Sequence, residues 1–293
     1  MDSHAKIDSA ANAAGNPNPA APSRQPLSKR WTLAIVVLTL AFVLMPFLFW
    51  RATWFGRPLS DAQLADYLNP KSNPHDIQHA LSQIADRIIR GDAGVKQFYP
   101  QVIALSSYPA EGIRTMDAWV MGQDNTSPDF HAALLRLLHD PNLMVDRNAA
   151  LALVRFQDSS GHDVIVAMLR ATAVASPYSG VLETRLKPNQ TLNPGTLIAR
   201  ISVAGDKREV RSEIPGTLGR WVVADGASVA AGQPIAAVFP SDDVVWEALR
   251  ALYLIGTPAD LDAISPYARG AGDSPQVAEQ ARLTMQQIRS PLP

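Results

Sequence analysis

A mainly α fold with a β insert follows from three features of the 293-residue sequence. Residues 31–50 form an uncharged apolar run. Residues 58–170 and 243–290 carry apolar side chains at helical spacing, cut into short pieces by Pro, Gly and Asn. Between 172 and 240 that spacing gives way to short β-branched runs separated by Gly, Pro and Asn turns. The expected order is a tail over 1–30, a transmembrane helix over 31–50, helices over 58–170, a β module over 172–240 and closing helices over 243–290.

Composition excludes several classes. With 26 Lys+Arg against 27 Asp+Glu the chain carries −1, without the basic surplus of a nucleic-acid binder, so no nucleic-acid partner is expected. The absence of cysteine excludes a disulfide framework, a thiolate metal site and a cysteine nucleophile.

Residues 1–30 (AANAAGNPNPAAPSRQP at their centre) hold almost no large apolar side chains, so burial cannot offset chain entropy and a disordered tail is expected. Trp31 to Trp50, WTLAIVVLTLAFVLMPFLFW, would span about 30 Å as a helix, the thickness of a hydrocarbon core. Trp31 and Trp50 fall where the two interfaces would lie, and Pro46 is tolerated in membrane helices. No small-residue cleavage site follows, because RATWFG is bulky, so an uncleaved anchor is expected rather than a signal peptide. Arg24, Lys29 and Arg30 before the span outnumber Arg51 and Arg57 after it, which places the N-terminus in the cytoplasm. The expected location is single-pass in the inner (cytoplasmic) membrane, with the bulk of the chain in the periplasm of a Gram-negative cell.

Helices follow in order. Asn73-Pro74 reads as cap and first residue, with Ile77, Leu81, Ile84, Ala85 and Ile88 on one face and Gly91 as the stop. A second helix is expected from about Val95 to Leu105. Pro109 opens a third with Ile113, Met116 and Val120 inward, ending at Gly122. Ser127-Pro128 opens a fourth, a fifth runs from about Val145 to Phe156, and a sixth covers Asp163 to Arg170. After the β module, Trp246–Ile255 and Gln276–Arg289 read as helices flanking Gly256-Thr-Pro. Short connections make neighbours antiparallel.

The stretch ALLRLLHDPNLMVDRNAALALVRF, from Ala133 to Phe156, resembles a HEAT repeat. The pattern rests on Leu134, Leu137, Leu138, Asp140, Val145, Arg147, Ala149, Ala150, Ala152 and Leu153. The resemblance implies a HEAT-like α-solenoid that binds other proteins. It also implies that Asp140 caps the turn and pairs with Arg147 of the next helix, while the alanines let helices approach closely.

The β module repeats itself about 36 residues apart. Gly180-Val-Leu with Leu192, Gly195 and Ile198 matches Gly216-Thr-Leu with Val229, Gly232 and Ile235. SPYSGVL and EIPGTLGRWVVADGASVAAGQPIAAV are similar to the signatures of the biotinyl/lipoyl-type family, which implies a lipoyl-like β barrel-sandwich hybrid. Gly226 and Gly232 fall where the family needs turns with positive φ, and Asn189 stands at the first half's equivalent of Gly226. The two ends of such a module can lie close together, so it fits in one inter-helix loop.

Carrier members of that family attach biotin or a lipoyl group to a lysine at the tip of the central hairpin. Here the tip is Ala204-Gly205-Asp206-Lys207, and counting back from Gly216 puts the lysine position nearer Gly205, two residues early. Lys207 is thus the carrier-lysine candidate, and the expectation is an unmodified module without a cofactor. Anchor, unmodified β hybrid and helical element also occur in the order seen in periplasmic adaptor (membrane-fusion) proteins, although here the helical part is HEAT-like rather than a long hairpin.

Metal chemistry has one candidate. His75 and His79 stand at i and i+4, the spacing of two ligands on one helix face, with Asp76 rather than Glu beside them and no third ligand signalled. Asp76 also suits the first helical turn, where carboxylates meet free N–H groups. Trp119, Trp221 and Trp246 read as core or inter-module anchors, with Trp221 also placed to be an exposed contact. Arg114, Asp117, Gln123 and Asp124 read as a solvated face and cap. No nucleophile elbow, P-loop or dinucleotide fingerprint is present. The expected function is a membrane-anchored, non-enzymatic scaffold or adaptor for envelope or membrane proteins, a transport complex among them. The alternatives are a prosthetic-group carrier on Lys207 and a metallohydrolase on His75 and His79.

Overall fold

The computed structural model describes residues 29–52, 58–272 and 274–290. Residues up to Arg57 and residues from Pro58 onward form two separate units. In the first, helix α1 (Lys29–Ala52) begins two residues before Trp31 and ends two after Trp50. Its segment Lys29–Leu48 is long and apolar enough to cross a membrane, and none of it is buried in the structure. The expected tail up to residue 28 lies outside the described residues, as do Arg24, Arg57 and the side chains of Trp50 and Arg51.

The second unit mixes helices with two antiparallel sheets. Helix α2 (Asp61–Tyr67) was not legible from periodicity, because seven residues give less than two turns. Its start carries a reciprocal cap between Ser60 and Gln63, and Leu64 is fully buried. Helix α3 (Pro74–Ile89) starts as expected, with the Asn73 side chain accepting from the His75 N–H. Gly91, at φ +75°, closes it. The second expected helix divides into a 3-10 turn (Ala93–Phe98) and α4 (Tyr99–Leu105). Helices α5 (Glu111–Met121), α6 (Pro128–Leu137), α7 (Leu143–Arg155) and α8 (His162–Ala167) complete the first run. After the β module come α9 (Asp242–Ile255), α10 (Leu261–Ala268) and α11 (Pro275–Arg289). The eight-residue α10 fell in what the sequence left as a connection.

Odd-numbered helices pack on one another in sequence, α3 to α5 to α7 to α9 to α11, and even-numbered helices pack between or beside them. Small residues set the spacing. A Cβ on Gly122 would stand 2.9 Å from Ala152 Cβ, and one on Gly161 would stand 2.6 Å from Ala150 Cβ. Ala149, Ala150 and Ala152 are all buried.

The β module has eight strands: β1 (Thr172–Ala175), β2 (Gly180–Thr184), β3 (Thr191–Leu192), β4 (Leu197–Val203), β5 (Asp206–Arg211), β6 (Gly216–Trp221), β7 (Ser228–Val229) and β8 (Pro234–Phe239). One sheet has the order β1-β8-β6-β3 and the other β5-β4-β2-β7. Replacing each strand by the one four places away turns the first order into the second, so the two halves are related by an internal two-fold. The hydrogen bonds repeat the relation. Gly232 N–H donates to the Ser176 carbonyl and Gly195 N–H to the Ser212 carbonyl, both at 2.7 Å. Each half thus anchors its counterpart. The two serines are buried, and each hydroxyl donates to a carbonyl two residues on, at Tyr178 and Ile214. Asn189 (φ +66°) and Gly226 (φ +78°) occupy equivalent left-handed turns, as the half-repeats require.

Pairing of β1 with β8 sets Thr172 beside Val238, so the module begins and ends at one place. The helices close across it. Buried Ala150, Val154, Ile165, Met168 and Leu169 before the module share one core with Val245, Leu249, Leu252, Ile264 and Val277 after it. His162 Nε2 lies 2.8 Å from Asp260 Oδ2, and the Tyr267 hydroxyl donates to the Leu169 carbonyl at 2.7 Å.

Burial of His162 disfavours its charged form, but the hydrogen bonds it donates to Asp260 and Asp163 outweigh this and raise its pKa above 6.5. Asp260 is also buried, yet its bonds to Thr257 and His162 hold its carboxyl below the usual range. The stabilisation by His162 is therefore complete below pH 6.5 and is lost as pH rises through the raised value. We expect His162→Gln to destabilise by about 1 kcal/mol near pH 5.5, with the gap to wild type closing above neutrality, in urea titrations across pH.

Candidate interaction surface

One groove runs across both the helices and the β module. Helix α5 offers Glu111, Thr115 and Trp119 at i, i+4 and i+8, with Met116 beside them. Helix α7 offers Met144, Asn148, Leu151 and Arg155 at the matching spacing, and α9 offers Glu247, Arg250 and Leu254. The β module contributes the Pro194-Gly195 turn and residues 211–213. Two cavities, of about 590 Å³ and about 410 Å³, meet at Trp119 and Asn148. The larger lies at the N-terminal ends of α5 and α7, the smaller at their C-terminal ends against α9.

The apolar groups here are large and exposed. Trp119 is 46% exposed and Leu254 69%, whereas the core side of α5 buries Ile113, Ala118, Val120 and Met121. Of the two roles the sequence suggests, core or inter-module anchor, Trp119 does not take the first. Met116, expected inward, is half-buried: it packs against the helical core and also lines the groove. Trp221 and Trp246 are also half-buried. The Trp221 indole N–H donates to the Leu186 carbonyl at 3.1 Å, and Arg250 stacks on the Trp246 ring at 4.6 Å.

Charge is unevenly placed along the groove. Glu111 and Glu213 stand at the α5 N-terminal end, and among the described residues neither forms an ion pair. Arg211, beside them, is committed to Glu209 at 2.6 Å and to the Gly195 carbonyl at 2.6 Å. At the other end Arg155 donates to Gln123 Oε1 at 3.1 Å, Arg250 lies on Trp246, and Glu247 offsets one of the two cations.

The turn residue Asp140 does cap, accepting from the Asn142 N–H at 2.9 Å, but its ion pair is not with Arg147. Arg114 of α5 grips it with Nε and Nη2, at 2.6 and 2.9 Å, and its Nη1 also donates to the Tyr108 and Pro109 carbonyls. The Arg114 fork reaches both carboxylate oxygens while tying down the loop before α5. Burial pushes the Asp140 carboxyl up, but Arg114 and the Asn142 N–H together more than reverse this. Arg147 is buried on the side of α7 that meets the β module and donates to Thr172 Oγ1 at 3.1 Å. It joins the helix to the first strand.

The other candidates fall away from the groove. Lys207 sits on β5 opposite Ser202, past the turn made by Ala204 (φ +50°) and Gly205 (φ +96°). Its ammonium donates to Glu183 at 2.6 Å. His75 is exposed and His79 buried, with the His79 Nε2 2.9 Å from the Gln83 amide. Gln83 in turn accepts from the Leu59 N–H, so His79 supports the chain entering α2. No cluster of three His, Cys, Asp or Glu that could hold a metal occurs among the described residues.

Arg114, Asp117, Gln123 and Asp124 are not one solvated face. Asp124 accepts from the Tyr99 hydroxyl at 2.7 Å and caps Thr126, and Gln123 holds Arg155. Asp117 is wholly buried, and neither carboxylate oxygen has a hydrogen-bond partner among the described residues. The signal was present in its spacing: Ile113, Asp117 and Val120 share one helical stripe. Compared with known proteins, the chain matches no protein-family model and no curated protein sequence.

Burial pushes the Asp117 carboxyl well above the ordinary range, so its charged form is disfavoured in the folded state, whereas in the unfolded chain it ionises at the ordinary value. Stability then falls as pH rises above about 4. Asp117→Asn and Asp117→Leu are expected to raise the melting temperature at pH 7 and flatten its pH dependence, by about 1–3 kcal/mol in total. Equal or lower stability at pH 7 in both variants would show that Asp117 has a partner in solution.

Proposed function

We propose that the chain is a membrane-anchored, non-enzymatic scaffold or adaptor. It would bind other envelope proteins through HEAT-like repeats and an unmodified lipoyl-like module. The observation that carries this reading is the groove in which exposed Trp119 and Leu254 lie between three helices and the β module. Exposed Trp, Met and Arg in a concavity are the residues that dominate protein interfaces. The anchor role rests on the apolar helix Lys29–Leu48; in this proposal the N-terminus is inside and the second unit in the periplasm, following the basic residues before the span. Two further observations support the module assignments. The helices alternate along the chain, with alanines at their close contacts. The two β halves interlock by a two-fold, as expected for a barrel-sandwich hybrid.

Carrier chemistry is disfavoured by the place of Lys207, which lies within a strand and in an ion pair with Glu183 rather than at the hairpin tip. Affinity purification of the tagged full-length chain from native membranes, with mass spectrometry of both bait and partners, tests the proposal. The expected result is an unmodified intact mass and stoichiometric envelope proteins. A mass raised by a biotinyl or lipoyl group, or a bait recovered alone, contradicts it.

A further inference from the structure

We propose that the groove takes a single amphipathic helix of a partner protein, lying antiparallel to α5 and α7, with an acidic N-terminal turn and a basic C-terminal turn. This rests on the adaptor reading and names the partner's chemistry.

Three observations lead to it. The first is that the groove offers almost no free backbone. Three of its walls are helices, whose N–H and C=O groups are satisfied internally apart from the first-turn N–H groups of Glu111 and Gly112 at the α5 end. In the β wall, Gly195 N–H already donates to Ser212, Ser212 N–H to Thr196, and the Gly195 carbonyl accepts from Arg211. An extended peptide would bury its own backbone groups there unpaired, at a cost. A helix carries its backbone bonds with it, so only side chains need to match.

The second is length. From Glu111 to Gln123 the floor runs about 18 Å at helical rise, room for about three turns. Met116, Trp119 and Met144 line the middle and Leu254 one end, so the occupant needs an apolar stripe at i, i+3, i+4 and i+7. Met side chains adapt to such a stripe, and Trp119 is the natural anchor.

The third is polarity. Glu111 and Glu213 mark one end; Arg155 and Arg250 mark the other, with Glu247 as the single acidic offset. Glu111 and Arg155 also suit the dipoles of their own helices, but Glu213 is in the β module and Arg250 is mid-helix, so dipole satisfaction does not account for them. A helix with acidic groups at its N-terminus and basic groups at its C-terminus is also the stable arrangement for its own dipole. Laid antiparallel to α5 and α7, that helix sets acid against Arg155 and Arg250 and base against Glu111 and Glu213.

The test is selection of random 16-residue peptides displayed on phage against the full-length protein in nanodiscs, with the Trp119→Ala protein as the counter-selector. Trp119 is half exposed, so the variant should keep the wild-type circular dichroism and melting temperature. The expected binders are amphipathic, gain helicity on binding, carry Asp/Glu in the first turn and Lys/Arg in the last, and lose at least tenfold affinity with Trp119→Ala. Reversing the charges of the peptide's last turn alone, from basic to acidic, should weaken binding at low salt, and Glu111→Lys with Glu213→Lys should restore it. Enriched peptides that are extended, or without charge order, or no Trp119-dependent enrichment, would overturn the inference. So would wild-type dimerisation abolished by Trp119→Ala, because the occupant would then be a second copy. Envelope partners that co-purify equally with wild type and Trp119→Ala leave the adaptor reading standing and remove the groove helix. Their absence from both removes the adaptor reading itself.

Discussion

Pairing of the first and last strands of the β module is the constraint on which the rest of the second unit depends. Because Thr172 lies beside Val238, the chain leaves the helices and returns to them at one point. Helix α8 then packs on α9 with a whole β module between them in sequence. The core of Ile165, Met168 and Leu169 with Val245, Leu249 and Leu252 forms only on that condition. The polar links His162–Asp260 and Tyr267–Leu169 join residues 98 positions apart for the same reason. Conversely, a splayed module would pull α9 to α11 from α8 and expose that core.

The same geometry makes the groove a fixed feature. Its helical walls are spaced by Ala and Gly contacts, and its β wall is held by Leu143 and Met144 packing on the β core and by Arg147 at Thr172. Helix α5 therefore has two unlike faces. One buries Asp117 and Ile113, and the other exposes Trp119 and Glu111. Leaving a carboxyl without a partner on the buried face works against stability. The other face leaves the Trp119 indole exposed where two cavities meet.

Much of the architecture was legible because local chemistry announces it. Asn73, Ser127, Gly91 and Gly122 punctuate helices where expected, since caps and stops act on the nearest few residues. The half-repeats placed Asn189, Gly195, Gly226 and Gly232 at left-handed turns because few other residues adopt them without strain. Helices α2 and α10 escaped notice, being too short to show a period. Which residues pair was not legible. Arg114 takes Asp140 from Arg147 through a contact 26 residues away, which spacing alone does not encode. Nor does the local sequence mark Ser176 and Ser212 as buried, because the interlocking of the two halves covers them. Trp119 is exposed because the stripe it belongs to faces a groove rather than a helix.

The most direct test of the continuity of the helices is to replace residues 172–240 by a short Gly-Ser linker and follow thermal unfolding by far-ultraviolet circular dichroism. If the module hangs from one point of an unbroken helical core, the shortened chain keeps its helical signal and melts in one cooperative step, at a somewhat lower temperature because Leu143 and Met144 lose their cover. A broad, low-temperature loss of helix, with α9 to α11 no longer protected from proteolysis, would mean that the β module itself holds the two helical runs together.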